Sequence, residues 1–342
     1  MKTYLALLLI SGQIAVAVAQ DNKTPYLTKA LNAGIKSVYV TTSGGSIQVS
    51  GETGQEPRVE VYISGNNGSK PSDEEIKKRL EEDYTLDISV TGDEVRAVAK
   101  NKHQGNWDWH KSLSIAFKVY VPQNSSTNLT TSGGSIHLSY LNGDEKFETS
   151  GGSLSIDHLS GKVRGQTSGG SIHLDNSKDD IDLETSGGSI HASNSSGTIK
   201  LETSGGSLSL NNLDGNIKAE TSGGGINAQD IKGELKAGTS GGSINLSGLA
   251  CSLDTYTSGG SIHVQMTQAA KYVKIDASGG HVDLQLPSKQ GFDLDIHGQK
   301  VNADLASGFE GTKDKDHVEG KLNGGGVTVS VNGSNNVNLS LN

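Results

Sequence analysis

The chain has 342 residues, a net charge of −9, 46 glycines and only 4% aromatic residues. The acidic balance argues against a nucleic-acid partner, which needs a basic surface, and the scarcity of aromatic residues excludes a large aromatic core. The single cysteine, Cys251, excludes an intrachain disulfide, and we interpret it as a small residue at a corner of the fold.

The first residues have the form of an export signal. Lys2 precedes an apolar segment from Leu5 to Ile10, and residues 17–19 read Ala-Val-Ala, which is typical of a cleavage site. We therefore predict a signal peptide at 1–19 and export to the periplasm, the cell surface or the extracellular space. Residues 20–342 contain no apolar run of about 18 residues, so the sequence predicts no transmembrane segment.

Residues 20–34 are polar, and we expect a flexible segment there. Residues 42–47 then read Thr-Ser-Gly-Gly-Ser-Ile, which indicates a tight corner followed by a strand. The same motif returns 89 residues later, at Ser132. We therefore expect a repetitive fold to begin near residue 35 and to be interrupted by an insertion.

The insertion carries its own secondary-structure signals. Ser72 and Glu75 form a capping box that predicts a helix up to about Asp83. Alternating apolar residues predict strands at 58–63, 84–90, 95–99 and 113–121. We assign 35–131 to an N-terminal cap and the first solenoid strands, because exposed sheet edges need such protection.

A polar loop between two of these strands holds both tryptophans of the chain. The predicted ligand-binding residues of this loop are Trp107, Trp109, His103 and His110. An aromatic ring in a polar loop can stack on a sugar or on a partner. The alternative is the end of a hairpin that folds over the cap and partly buries the rings.

From Ser132 onwards the Ser-Gly-Gly motif recurs every 18 residues up to Ser258. Counted from this serine, apolar residues at positions 5 and 7 and again at 14 and 16 predict two short strands per repeat. We attribute the corner at the glycine pair to the ease with which glycine adopts positive φ, and place a second corner near position 12. The fold class is therefore all-β, a parallel β-solenoid with one coil per repeat.

The solenoid region is predicted to extend over 132–342 and to end in closing coils. After Thr257 the spacing of the motif loosens to 20 residues. We expect a strand at 292–296, a charged loop at 305–320, a final coil at 323–329 and a last strand at 337–341.

Outward positions of the repeat form columns of like residues. Position 15 is basic at Lys146, Arg164, Lys200, Lys218 and Lys236, and position 17 is acidic at Glu148, Glu184, Glu202 and Glu220. Adjacent columns of opposite charge offset the repulsion within each column. We interpret them as a solvated face, with a binding surface as the alternative.

Two groups of residues raise the question of a metal ion. Position 6 carries His137, Ser155, His173, His191, Ser209, Asn227, Asn245 and His263. Histidine suits zinc or copper, but a site needs three or four ligands, so we favour a solvated polar column over a site at His173 and His191. A weak Ca²⁺ site is the alternative for the acidic group Asp175, Asp179, Asp180 and Asp182. The sequence predicts no cofactor and no catalytic residues.

The Thr-Ser-Gly-Gly-Ser-Ile repeats, the cap strand that ends at Pro122 and the closing residues 322–326 carry a resemblance. Over about 35–342 the chain resembles the bacterial candidate-adhesin β-solenoid family, a secreted or envelope-associated domain of unknown function. The resemblance implies the solenoid fold, and the family defines no catalytic residues to transfer.

We therefore expect a non-enzymatic, exported or cell-surface, adhesin-like rod that binds a glycan or a cell-envelope protein partner. The alternative is a carbohydrate-active β-helix enzyme with an unrecognised site. Such enzymes need paired acidic groups in a cleft, whereas residues 132–257 contain no long insertion that could wall one.

Overall fold

The computed structural model describes residues 24–65, 71–102, 112–305 and 308–342. Their strands form one continuous hydrogen-bonded system that winds as a β-solenoid, which confirms the predicted fold class. The only helix in these ranges, α1, has 11 residues and is too short and too polar to cross a bilayer.

The N-terminal part contains eight strands and the helix. They are β1 (Leu27–Ala30), β2 (Ser37–Thr42), β3 (Ile47–Ser50), β4 (Arg58–Gly65), α1 (Asp73–Asp83), β5 (Tyr84–Thr91), β6 (Glu94–Asn101), β7 (Leu113–Tyr120) and β8 (Ser126–Thr131). The hydroxyl of Ser72 caps α1 by accepting a hydrogen bond from the backbone N–H of Glu75 at 3.3 Å, as the sequence predicted.

The repeat region consists first of paired short strands and then of strands that bend through the second corner unbroken. They are β9 (Ile136–Ser139), β10 (Asp144–Thr149), β11 (Leu154–Asp157), β12 (Lys162–Thr167), β13 (Ile172–Asp175), β14 (Lys178–Thr185), β15 (Ile190–Thr203), β16 (Leu208–Thr221), β17 (Ile226–Thr239), β18 (Ile244–Thr257) and β19 (Ile262–Ala277).

Each coil stacks on the next in parallel register with an offset of one repeat. Ile172 pairs with Ile190, and Lys200 pairs with Lys218. Side chains at positions 5, 7, 14 and 16 point inward, and Ile190 is completely buried. The core is therefore a narrow channel of aliphatic ladders, which explains why the chain needs few aromatic residues.

The glycine pair is required for a reason other than the predicted one. None of the paired glycines between Gly133 and Gly260 has positive φ. Instead, a Cβ added at Gly188, in position 3, would lie 2.0 Å from the carbonyl oxygen of Gly170 in the coil before it. Position 3 therefore excludes a side chain because the backbones of successive coils touch there.

A buried threonine at position 18 provides hydrogen-bond partners for backbone groups at the same corner. The hydroxyl of Thr203 donates to the carbonyl oxygen of Gly188 at 2.8 Å and accepts from the N–H of Gly206 at 3.2 Å. The same pair of hydrogen bonds recurs in neighbouring coils, for example at Thr185 and Thr221. The Thr in Thr-Ser-Gly-Gly thus links two successive coils through one hydroxyl.

Positive φ is concentrated at the second corner. Asn194 and Asn212, both at position 9, have φ of 50° and 51°, and Gly197 and Gly215 at position 12 have φ of 114° and 130°. Asparagine tolerates the left-handed region because its short side chain can hydrogen-bond locally. This corner is where the turn-type residues of the repeat are needed.

At the N-terminal end, the coil formed by β2 and β3 lies between two others. On one side β2 and β3 pair in parallel with β8 and β9, and on the other side with β6 and β7. Antiparallel β4 and β5 then cover the outermost strands. Part of the segment expected to be flexible, 20–34, is ordered, because β1 pairs with the otherwise open edge of β4.

The C-terminal end also contains a coil that lies between two others. Its strands are β20 (Val282–Leu286), β21 (Phe292–His297), β22 (Lys300–Ala303), β23 (Phe309–Lys313), β24 (His317–Leu322), β25 (Val327–Gly333) and β26 (Asn336–Leu341). The coil formed by β25 and β26 is inserted between the coil of β19 and β20 and that of β21 and β22.

The predicted loop at 305–320 is wrong where β23 and β24 form an antiparallel hairpin. Val318 and Leu322 alternate inward and are fully buried, and β24 pairs with the edge of β21. Of the charged residues that suggested a loop, Glu310, Lys313, Glu319 and Lys321 are exposed on these strands, and residues 314–316 form the turn between them.

Candidate ligand-binding face

Alternate residues of a strand point to opposite faces of the sheet, so positions 6 and 8 of every coil face outward. In the C-terminal coils they line a shallow cleft of about 730 Å³. We call this cleft the polar groove and define it by the side chains of Ser209, Asn211, Asn227, Gln229, Asn245, Ser247, His263, Gln265, Asp283, Gln285, Asn338 and Ser340.

Amides and hydroxyls dominate the polar groove. The Nδ2 of Asn245 donates to the Oδ1 of Asn227 at 3.0 Å, and Gln229 and Gln265 are exposed beside them. Amides offer both donors and acceptors. Because the strands beneath are fixed by parallel pairing, these groups form a rigid grid with a spacing of roughly 4.8 Å between coils.

The N-terminal part of the same face is richer in ionisable groups. A cleft of about 480 Å³ is lined there by His137, His173, His191, Asp157 and Asp175, among others. Burial lowers the pKa of His137, which favours the neutral form of its imidazole. The rings of His173 and His191 stack at 5.1 Å between centroids with an angle of 8° between their planes.

The four aspartates considered for Ca²⁺ do not converge. Asp175 accepts hydrogen bonds from Ser193 and Asn194 on the outward face. Burial opposes ionisation there, but these hydrogen bonds hold the pKa of Asp175 below its ordinary value. The other three lie on β14, where Asp179 accepts from the N–H of Gly161, and Asp180 and Asp182 pair with Arg164 and Lys200.

Two other groups within the described ranges bring together a pair of histidines and an aspartate. In the first, the Nδ1 of His263 lies 2.8 Å and the Nε2 of His281 lies 3.3 Å from the Oδ2 of Asp283. In the second, the Nε2 atoms of His297 and His317 lie 3.0 and 3.4 Å from the Oδ1 of Asp295. Both groups have the donor chemistry of a metal site.

The charged columns at positions 15 and 17 interlock as predicted. Lys218 bridges Glu202 and Glu220 at 2.9 and 2.8 Å, and Lys200 contacts Glu202 at 2.9 Å. The hydrogen bonds that Lys218 donates to Glu220 and Glu202 raise the pKa of its ammonium group. These carboxylates are engaged with lysines, so they are not arranged as a free acid–base pair.

Two further expectations concern the cysteine and the tryptophan loop. Cys251 is fully buried, and burial raises the pKa of its thiol to about 12, so the thiol stays protonated and shielded. Trp107, Trp109, His103 and His110 lie outside the described residues, and their role stays a prediction.

Sequence reasoning missed His281, Asp283 and Asn338. One feature of the sequence could have indicated them, which is a departure from the repeat. Position 4 is usually serine but is His281 here, and position 6 is histidine, serine or asparagine in the earlier repeats but is the acidic Asp283 here. The sequence could not place Asn338 next to them, because β26 pairs with β20 over a long sequence separation, with Asn338 and Asp283 55 residues apart.

The C-terminal part of the chain is similar to a known domain family. Residues 233–340 match the family Toastrack DUF4097. The match confirms, over these residues, the resemblance to a domain family of unknown function. The toastrack match includes most of the polar groove and both His-His-Asp groups.

Two solved structures match the chain at low similarity. A candidate cell adhesion protein from Clostridium sporogenes is 12% identical over 93% of this chain and 100% of that chain, with a TM-score of 0.21. A candidate adhesin from Bacteroides fragilis is 12% identical over 75% of this chain and 95% of that chain, with a TM-score of 0.28. Similarity at this level carries no argument about function, and no curated protein matches the chain.

Proposed function

We propose that the protein is a non-enzymatic, exported, adhesin-like rod that binds a glycan in the polar groove. The observation that carries the proposal is the composition of this groove, in which nearly all outward side chains are uncharged hydrogen-bonding groups. A glycan presents many hydroxyls and no apolar core, and amides such as Asn227, Asn245 and Gln265 can donate to and accept from such hydroxyls.

The polar groove lacks the exposed apolar side chains that a protein partner would contact. Protein interfaces usually centre on an apolar patch. In the described ranges, the large apolar side chains that are exposed are Tyr26, Leu27 and Tyr256, and none of them lines the polar groove. A neutral, hydroxyl-rich ligand therefore fits this face better than an apolar protein surface does.

The rigid backbone supports recognition without a deep pocket. Each groove side chain at position 6 stands between two buried neighbours on a strand that is paired on both sides, for example Asn245 between Ile244 and Leu246. Side chains held in this way lose little conformational entropy on binding. Because the groove carries little charge, binding should depend only weakly on salt.

A glycan array with the purified protein tests the proposal. Asn227→Ala combined with Asn245→Ala should weaken binding to the selected glycan about tenfold or more, since several hydrogen bonds of about 1 kcal/mol each are lost. Asn332→Ala is the matched control, because Asn332 is exposed and hydrogen-bonded to Asp276 on the opposite face. Equal affinities for the double variant and the control would contradict the assignment of the groove.

The loop at 103–110 is the competing location for the same function. Trp107→Ala with Trp109→Ala should leave the affinity for the array-selected glycan unchanged if the polar groove is the site. Circular dichroism would confirm that this variant is folded. A large loss of affinity in this variant alone would move the binding site to the loop, as each tryptophan can contribute about 1–3 kcal/mol.

A further inference from the structure

Two histidines and an aspartate converge where the regular spacing of the repeat is broken. His263 is the position-6 residue of one coil, and the next coil supplies His281 at position 4 and Asp283 at position 6. All three potential ligand atoms lie within 4.8 Å of one another. In a tetrahedral zinc site with bonds of about 2.0 Å, ligand atoms are roughly 3.3 Å apart, close to the 2.8 and 3.3 Å observed.

The orientation of the rings distinguishes this group from the other histidine pairs. A metal ion must lie near the plane of each imidazole that binds it. The planes of His263 and His281 meet at 74°, and their ligand nitrogens lie within 4.8 Å of each other, which is compatible with one ion close to both planes. The rings of His297 and His317 are stacked at 10°, and those of His173 and His191 at 8°, so no point within bonding distance of both rings lies in both planes of either pair.

Neighbouring residues hold the ligands in this orientation. The Oγ of Ser261 lies 3.0 Å from the Nδ1 of His281, which leaves the Nε2 of that ring to face Asp283. The Nδ2 of Asn338 donates to the Oδ1 of Asp283 at 2.6 Å, which leaves the Oδ2 for an ion. Such outer partners are typical of metal sites, because they fix the tautomer and the direction of the ligands.

We propose that His263, His281 and Asp283 form a binding site for a divalent transition-metal ion of the zinc class. Two imidazoles and one carboxylate suit such an ion and leave coordination positions open. The side chains are 39–49% exposed, so the open positions face solvent at the C-terminal end of the polar groove. This site shares His263 and Asp283 with the polar groove but requires no glycan, so its failure would leave the glycan proposal standing.

Titration of the purified protein with Zn²⁺, and with Co²⁺ as a spectroscopic probe, tests the site. The combination His281→Ser and Asp283→Asn restores the residues that other coils carry at these positions, such as Ser261 and Asn245, and should preserve the fold. We expect the wild type to bind one ion with micromolar or tighter affinity at this site. The variant should lose this event or weaken it at least about tenfold.

Two further variants identify the site. His191→Ser removes a histidine from the same face, and His297→Gln with His317→Gln removes the other His-His-Asp group; both should leave the micromolar event unchanged. The proposal is overturned if the wild type binds neither ion at micromolar concentration. It is equally overturned if the variant with His281→Ser and Asp283→Asn binds like the wild type, or if the event disappears only with His297 and His317.

Discussion

At the scale of single residues, one acidic side chain, that of Glu145, is buried in the aliphatic core. Glu145 occupies position 14, where other coils carry aliphatic residues, and is 1% exposed. Its Oε2 accepts a hydrogen bond from Thr127, while its Oε1 has no hydrogen-bond partner in the described part of the chain. Burial raises the pKa of Glu145 from 4.5 to about 7.

This pKa shift predicts a loss of stability as pH rises. Between the ordinary pKa of 4.5 and the folded-state value of about 7, the folded chain keeps a proton that the unfolded chain releases, so the free energy of unfolding falls with rising pH. The total loss is roughly 3 kcal/mol. Below the lower value both states are protonated, and this contribution no longer changes.

Glu145→Gln should remove this pH dependence, because glutamine can still accept from Thr127 and carries no titrating proton. The measurement is urea unfolding of wild type and variant across pH 4 to 8, with the exposed Glu148→Gln as control. The free energy of unfolding of the wild type should fall relative to Glu145→Gln as pH rises. Parallel curves would show that the carboxyl of Glu145 does not titrate in this window.

The glycine pair provides a second test at the residue scale. A Cβ at Gly188 would lie 2.0 Å from a backbone oxygen, whereas a Cβ at Gly187 would meet its nearest atom at 3.5 Å. Gly188→Ala should therefore cost about 3 kcal/mol of unfolding free energy, and Gly187→Ala should change it by less than about 1 kcal/mol. Equal melting temperatures for the two variants would contradict the close contact between coils.

At the scale of the elements, the inward and outward ladders should respond very differently to substitution. Ile190→Asp places an unpaired charge in the aliphatic channel and should cost several kcal/mol. Lys200→Ala removes surface ion pairs and should stay within about 0.5 kcal/mol of the wild type. Thermal unfolding of both variants measures the difference, and similar shifts would refute the coil register.

Much of the fold could be predicted because the repeat fixes it locally. Two predictions rest on signals that act over only a few residues. The alternation around Ile190 predicted an inward side chain, and Ser72 with Glu75 predicted the start of the helix; both are confirmed. The function of Gly188 could not be derived in this way, because it depends on the distance between coils. The hairpin of β23 and β24 was missed because charged residues surround the short inward alternation at Val318 and Leu322, and because β24 packs on the edge of an earlier strand, β21.

The candidate sites, too, could be predicted only where a local pattern determines them. Position 6 was correctly identified as an outward column from periodicity alone. The ring angles that separate His263 and His281 from the stacked pair His173 and His191 depend on side-chain packing, which periodicity does not specify. Asn338 reaches Asp283 only because the last coil is inserted between two earlier ones.

At the scale of the whole molecule, each end of the solenoid contains a coil inserted out of chain order, and antiparallel strands pair with the outermost coil. The coil of β2 and β3 and the coil of β25 and β26 play equivalent parts. Covered edges suppress strand addition by other chains. This organisation suits a rod that presents its long faces, and not its ends, for binding.

The proposed role as an adhesin requires export. We expect the natively expressed protein to begin at Gln20 after removal of residues 1–19. Mass spectrometry of the N-terminal peptide provides the measurement. An intact Met1 on the mature protein would remove the basis for placing it outside the cytoplasm.

The central claim is that the C-terminal coils recognise a glycan through their uncharged outward side chains. The most direct measurement is a crystal structure of the protein with the oligosaccharide selected on the array. We predict that the sugar lies along the polar groove, with its hydroxyls hydrogen-bonded to Asn227 and Asn245. Sugar density at the loop 103–110 or on the charged face of Lys200 and Lys218, with the groove empty, would contradict the account.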